Sequence, residues 1–143
     1  MEEIQTGTLL KIGQVATKSG LPIKTIRYYE EIGLLWPSVK RSPVGYRLFA
    51  ESVFNRLAFI KRAQSLGLSL NEIRDILQIR DRGELPCNEV KRHLELKLQQ
   101  INEQIQGLKT LKAELTDILF VWEDEPSPNR IAKTICPNIQ TKQ

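Results

Sequence analysis

The feature that most constrains this chain is a helical repeat between Cys87 and Trp122, a range with no proline and one glycine. Apolar residues recur there at the spacing of a coiled-coil heptad, namely Leu94, Leu98, Ile101, Ile105, Leu108, Leu115 and Leu119. A helix of about 35 residues is about 50 Å long, too long for so narrow a stripe to be buried by one small domain. The repeat therefore predicts a partner helix, most simply the same helix of a second subunit running antiparallel.

Lys112 occupies the one polar core position of this repeat. It either weakens this stretch and fixes the register, or the stripe drifts so that Leu111 and Ile118 replace it. We favour drift, because both of these residues are apolar.

A second pattern precedes the long helix. Ile12, Val15 and Ala16 have the spacing of one apolar helical face, and Gly20 is typical of a helix end. A second helix is expected at roughly 22–32, since proline is favoured in a first turn. Two helices joined by a short glycine-containing turn predict a helix-turn-helix, whose second helix enters the major groove of duplex DNA.

The two faces of this second helix differ in chemistry. We expect Ile26, Tyr29 and Gly33 to point inward, and Glu31 to lie on the opposite face. Side chains on and beside that opposite face carry the ammonium, guanidinium, hydroxyl and phenol groups that contact phosphates. The predicted DNA contacts on this helix are Lys24, Thr25, Arg27 and Tyr28.

The residues after this helix predict a β-hairpin wing. Ser42, Pro43 and Gly45 provide turn chemistry, and they are flanked by basic and aromatic residues. The predicted backbone contacts of the wing are Lys40, Arg41, Tyr46 and Arg47.

Two further helices follow the wing. The first is expected at about 50–65, and the second begins at Ser69, where Glu72 three residues later completes a capping box. Lys61 and Arg62 close the first of these helices and are expected near phosphate at a second wing-like corner. The alternative is that they form an ordinary solvated helix end.

Charge and composition support this division of the chain. Residues 1–83 carry thirteen Lys and Arg against eight Asp and Glu, and the remaining residues carry eight against nine, so the basic charge lies with the proposed DNA-binding part. We expect a DNA-binding domain at 9–83, a dimerisation helix at 87–122 and a C-terminal tail at 123–143. The first ten residues do not resemble a signal peptide, and no apolar run could span a bilayer. A cytoplasmic protein without a membrane partner is therefore expected.

Four blocks of residues, in matching order and spacing over about half the chain, resemble the signature of the MerR family of transcription regulators. They are Ile12-Gly13 with Val15-Ala16, then residues 25–30, residues 33–35 and residues 45–47. Pro22 departs from the family, which more often has Ser or another polar N-cap there. The resemblance implies a mainly α fold, with a winged helix-turn-helix followed by an antiparallel coiled coil. It also implies a homodimer that bends and untwists promoter DNA. In such promoters the recognition elements are too far apart for RNA polymerase holoenzyme, and the distortion realigns them so that transcription is activated. The same resemblance gives Lys61 and Arg62 a DNA-binding role.

The two cysteines are the candidate effector ligands. In an antiparallel helix pair, the start of one helix lies beside the end of its partner, so Cys87 of one subunit could meet Cys136 of the other and bind a soft metal ion. Metal sensors of the resembled family use cysteines at three places; Cys87 looks like the first and Cys136 like the third, but residues 120–124 lack the middle one. Two thiolates could still bind Hg(II) or Cu(I). Zn(II), Cd(II) or Pb(II) would need further donors, such as water or Glu123, Asp124, Glu125 or His93.

Other functions remain open from the sequence. The cysteines could be small packing residues, and the chain could be a regulator that responds to thiol redox or an organic ligand, or an effector-free architectural protein that bends DNA. A coiled-coil adaptor is disfavoured by the basic segment 24–47. No catalytic site is predicted, because Cys87 and the single histidine, His93, lie about 240° apart around a helix, too far around it for a nucleophile–base contact.

Overall fold

The computed structural model describes residues 9–140 of the chain, so most of the N-terminal segment considered above as a signal peptide lies outside the described residues. The elements in order are β1 (Leu10–Lys11), α1 (Ile12–Ser19), α2 (Ile23–Glu31), β2 (Val39–Arg41), β3 (Arg47–Phe49), α3 (Ser52–Ser65), α4 (Leu70–Asp81), α5 (Cys87–Phe120), α6 (Pro128–Lys133) and α7 (Pro137–Gln140). The predicted helix-turn-helix, wing and long helix are confirmed. Strand β1 and the two short C-terminal helices were not predicted.

The chain divides into two compact units, one ending at Lys97 and the other beginning at Leu98. The first unit contains a three-stranded antiparallel sheet in the order β1-β3-β2, with Leu10 opposite Phe49 and Arg41 opposite Arg47. Helices α1 to α4 and the sheet share one hydrophobic core, whose fully buried side chains include Val15, Ile26, Phe49, Val53, Ile60, Ile73 and Ile76.

Gly33 differs from the sequence-based expectation. It is exposed instead of facing inward, because α2 ends at Glu31 and Gly33 adopts a φ of +85°. Glycine reaches this left-handed region without the steric penalty of a side chain. The reversal places Leu34 and Leu35 in the core, where both are fully buried.

Helix α5 presents most of its repeat to solvent in the single chain. Within the second unit, Leu98 is 59% exposed, Leu108 66% and Leu119 67%. So much aligned apolar surface on one helix is typical of a face that a partner covers. None of the described helices is long and apolar enough to cross a membrane.

Candidate nucleic-acid interface and metal-binding thiols

Helix α2 presents the expected polar face. Lys24, Arg27 and Tyr28 are exposed, and Thr25 is half-buried at the edge. Ile26 and Tyr29 are buried on the other side. The helical period thus separates one side that packs from one that is free to enter a groove.

Three side chains from α3 and α4 fix α2 and the residues that follow it. The Tyr29 hydroxyl donates to Gln64 Oε1 at 2.7 Å, Arg74 donates to the Ile32 carbonyl at 3.0 Å, and Arg56 Nε donates to the Leu34 carbonyl at 2.9 Å. Burial raises the pKa of Tyr29, so its hydroxyl remains a donor at neutral pH. These bonds hold the exposed face of α2 in one orientation, as a preorganised binding surface requires.

Arg56 also connects α3 to the end of α4. Its guanidinium binds both carboxylate oxygens of Asp81, at 2.6 and 3.2 Å. Such two-bond pairs are geometrically specific, and both side chains are largely buried. These roles of Arg56 and Arg74 could not be predicted from the sequence, because their partners are distant in it.

The wing is a tight hairpin with internal support. Arg41 Nη1 donates to the Gly45 carbonyl at 3.0 Å, and the Ser42 hydroxyl accepts from the Tyr46 N–H at 3.0 Å. Gly45 has a φ of +94°, which explains the glycine at the tip. Lys40 and Tyr46 remain exposed.

Arg47 joins the wing to α2. Its guanidinium forms an ion pair with Glu30 and lies 4.0 Å from a carboxylate oxygen of Glu31. We expected this side chain to contact the DNA backbone, and that contact stays a prediction. The observed ion pair fixes the wing against the recognition helix.

A cleft of about 320 Å³ unites the two predicted DNA-binding elements. It is lined by Arg27 from α2, by Gly45, Tyr46 and Arg47 from the wing, and by Lys11 and Ile12. The Lys11 ammonium lies 6.0 Å from the centre of the Tyr46 ring, within reach of a cation–π contact. Three cations from three separate elements therefore border one concave surface. Sequence reasoning missed Lys11, although a basic residue directly before the first helix was a usable signal.

Lys61 and Arg62 are both exposed but have different surroundings. Lys61 lines a cleft of about 410 Å³ between α1 and α3, which also contains Lys18 beside the Phe54 ring. Arg62 points toward Ser65 at the end of α3, with 3.4 Å between Nη1 and the hydroxyl. Lys18 therefore lies near Lys61, and the predicted DNA contacts of Lys61 and Arg62 stay a prediction.

The first turns of α5 pack against the start of α4 through His93. This side chain is 6% exposed; Nδ1 lies 3.5 Å from Glu72 and Nε2 lies 3.2 Å from Glu89. Glu72 completes the predicted capping box with Ser69, whose backbone N–H lowers the pKa of the Glu72 carboxyl, as does nearby Lys97. His93, considered above as a metal donor, is thus enclosed by two carboxylates.

Cys87 and Cys136 are both free thiols. Cys87 is exposed at the first residue of α5, and Cys136 is half-buried directly before α7. Among residues 9–140 no group of three or more His, Cys, Asp or Glu side chains is arranged to hold a metal ion. Two soft sulfur donors fit an ion that accepts two thiolates, and they fall short of the four ligands of a structural zinc site.

Comparison with known proteins agrees with these features. The family model described as MerR HTH family regulatory protein matches residues 10–79, and the model described as MerR, DNA binding matches residues 54–118. The mercuric resistance operon regulatory protein of Bacillus cereus is 38% identical over 131 residues, which cover 92% of this chain and 95% of that protein.

Two solved structures are similar over most of the chain. One is the transcription regulator PbrR691 from Ralstonia metallidurans CH34 in complex with lead(II), with 35% identity, a TM-score of 0.69 and coverage of 82% of this chain and 91% of that one. The other is HiNmlR, a regulator lacking the sensor domain and bound to promoter DNA, with 26% identity, a TM-score of 0.53 and coverage of 78% and 88%.

Proposed function

This chain belongs to the MerR family of transcription regulators, and we propose that it acts as a homodimer that distorts promoter DNA when a thiophilic metal ion binds Cys87 and Cys136. The prediction that the chain is not an enzyme is confirmed by this membership. As a DNA-binding regulator, it is expected to act in the cytoplasm.

The observation that carries the DNA-binding part is the cleft that joins Arg27 to the wing and Lys11. Exposed cations on a recognition helix and an adjacent wing position a protein on the phosphate backbone. The similar HiNmlR is described as bound to promoter DNA, which supports DNA binding by this chain. The proposed contacts are Lys11, Lys24, Thr25, Arg27, Tyr28, Lys40, Arg41, Tyr46, Arg47, Lys61 and Arg62.

The exposed stripe of α5 supports the dimer. Two DNA-binding heads related by a twofold axis match a palindromic operator. Bending and untwisting the DNA between the half-sites has an elastic cost that effector binding can offset. RNA polymerase holoenzyme then engages the realigned promoter elements, which makes the protein an activator.

The effector part rests on the two thiols. One similar protein is named as a mercuric resistance regulator, and another is described in complex with lead(II). Two sulfur donors without a third fit Hg(II) or Cu(I) best. We infer that Cys87 of one subunit and Cys136 of its partner hold the ion, which would supply a link between the two chains. Zn(II), Cd(II) or Pb(II) would require further donors, and residues 9–140 of one chain by themselves bring no such group together.

A metal titration tests the effector part. Reduced protein is titrated anaerobically with Hg(II), Cu(I) and Zn(II), followed by thiolate-to-metal absorption and by competition with a thiol chelator. Tight binding of Hg(II) or Cu(I) should be lost in Cys87→Ser and in Cys136→Ser. Weak binding that persists in both variants would contradict the metal site and favour redox, organic-ligand or architectural regulation.

A further inference from the structure

The segment after α5 is folded back on itself by one amide side chain. Asn138 Oδ1 accepts from the Glu123 N–H at 2.8 Å, and Asn138 Nδ2 donates to the Glu123 carbonyl at 2.9 Å. One side chain thus satisfies both backbone groups of a residue that lies fifteen positions earlier. Residues 123–138 of the predicted tail therefore form a closed loop.

Arg130 closes the same loop from α6. Its guanidinium pairs with the Glu123 carboxylate, and Nη2 donates to the Pro137 carbonyl at 3.1 Å. Pro137 is buried between these contacts and is followed directly by Asn138. Glu123 is therefore joined to the start of α7 by two independent side chains.

The backbone of Cys136 is held at both of its polar groups. Its N–H donates to Gln140 Oε1 at 2.9 Å, and its carbonyl accepts from the Ile139 and Gln140 N–H groups at 3.1 Å. Since Pro137 follows Cys136 directly, the contacts of Arg130 and Asn138 fix the cysteine relative to Glu123. These contacts fix the backbone that carries the thiol.

We propose that Asn138 and Arg130 are positioning residues that hold the Cys136 thiol at a set place in the loop closed by Glu123 before any ion binds. This inference rests on the proposed metal-binding role of Cys136. A loop ordered in advance loses less conformational entropy on binding, and residues that orient metal ligands typically affect affinity by about 10- to 100-fold when replaced.

The test compares Asn138→Ala with Asn129→Ala, a matched amide deletion at an exposed position of α6. Hydrogen exchange of residues 121–140 is measured in the metal-free full-length protein. The alkylation rate of Cys136 is measured in a Cys87→Ser background, so that only one thiol reacts. Hg(II) affinity is measured by chelator competition with both cysteines present.

We expect Asn138→Ala to raise the hydrogen-exchange rate of the Glu123 amide and the alkylation rate of Cys136, and to weaken Hg(II) binding about 10- to 100-fold. Asn129→Ala should match the wild type in all three measurements. Asn138→Asp keeps the acceptor for the Glu123 N–H but loses the donor, so it should fall between the two. Retained binding of duplex DNA reports that each variant is folded.

The experiment distinguishes a failure of the positioning role from a failure of the metal site. If Asn138→Ala matches the wild type in exchange and in Hg(II) affinity, the positioning role is refuted while the metal site stands. If the wild type binds Hg(II) no better than a variant lacking both cysteines, the metal site is refuted, and the positioning role with it.

Discussion

Replacing Arg27 tests the DNA-binding face most quantitatively. Arg27 is exposed on α2 and borders the cleft shared with the wing. Each phosphate contact contributes about 0.9 to the slope of log affinity against log salt. A homodimer loses two contacts in Arg27→Ala, so the slope should fall by about 1.8. We take the variant and the wild type to bind equally at about 1 M salt, where phosphate contacts contribute least. The smaller slope then gives about 30-fold weaker binding, or about 2 kcal/mol, at physiological salt.

The assay is fluorescence anisotropy over a salt series, with an operator selected from random duplexes and with an unselected duplex. Both should show the slope change if Arg27 contacts phosphate, because phosphate contacts carry no sequence information. Arg80→Ala removes an exposed arginine of α4 outside the recognition helix and wing, and it serves as the charge-matched control. Wild-type affinity and slope in Arg27→Ala would refute the placement of α2 on DNA.

Three further substitutions test other parts of the account. Arg47→Ala should weaken DNA binding. It should also lower the unfolding free energy by about 1 kcal/mol, because it removes the half-buried ion pair with Glu30. A DNA-binding defect with an unchanged urea denaturation curve would contradict the role of Arg47 in fixing the wing. Leu108→Glu should raise the dimer dissociation constant about 100-fold. Leu108 is 66% exposed in the single chain, and each proposed dimer would bury two such leucines, worth about 1.5 kcal/mol apiece. An intact dimer in sedimentation equilibrium would refute the apolar face. The Ser69 N–H lowers the pKa of Glu72 in the folded state, so this carboxylate should stabilise the fold above its unfolded pKa near 4.5 and lose that effect as pH falls through its lower folded pKa. Glu72→Gln should therefore flatten the acid side of the curve of unfolding free energy against pH. Parallel curves for the variant and the wild type would contradict this.

Features that depend on local patterns could be predicted from the sequence. The capping box formed by Ser69 and Glu72 appears as expected, because it needs only the correct residue types three positions apart. The helical period likewise separated the buried Ile26 and Tyr29 from the exposed face of α2. The fold class follows from such signals, since each element carries its own.

Features that depend on distant partners could not be predicted. Arg74 reaches Ile32 across 42 positions, and Asn138 reaches Glu123 across 15; neither pair leaves a periodic trace. Helices α6 and α7 are too short for a hydrophobic period to identify them. The burial of His93 was also missed, because the heptad assigned only apolar residues to the packed side of α5.

A mixed dimer tests the central claim most directly. Differently tagged Cys87→Ser and Cys136→Ser chains are combined, the mixed dimer is isolated, and its tightly bound Hg(II) is counted after chelator challenge. If one ion is held by Cys87 of one subunit and Cys136 of its partner, the mixed dimer retains one intact site and binds half as much Hg(II) as the wild type, while both parent homodimers bind none. A mixed dimer that binds no Hg(II), beside a wild type that does, would contradict a site shared between subunits.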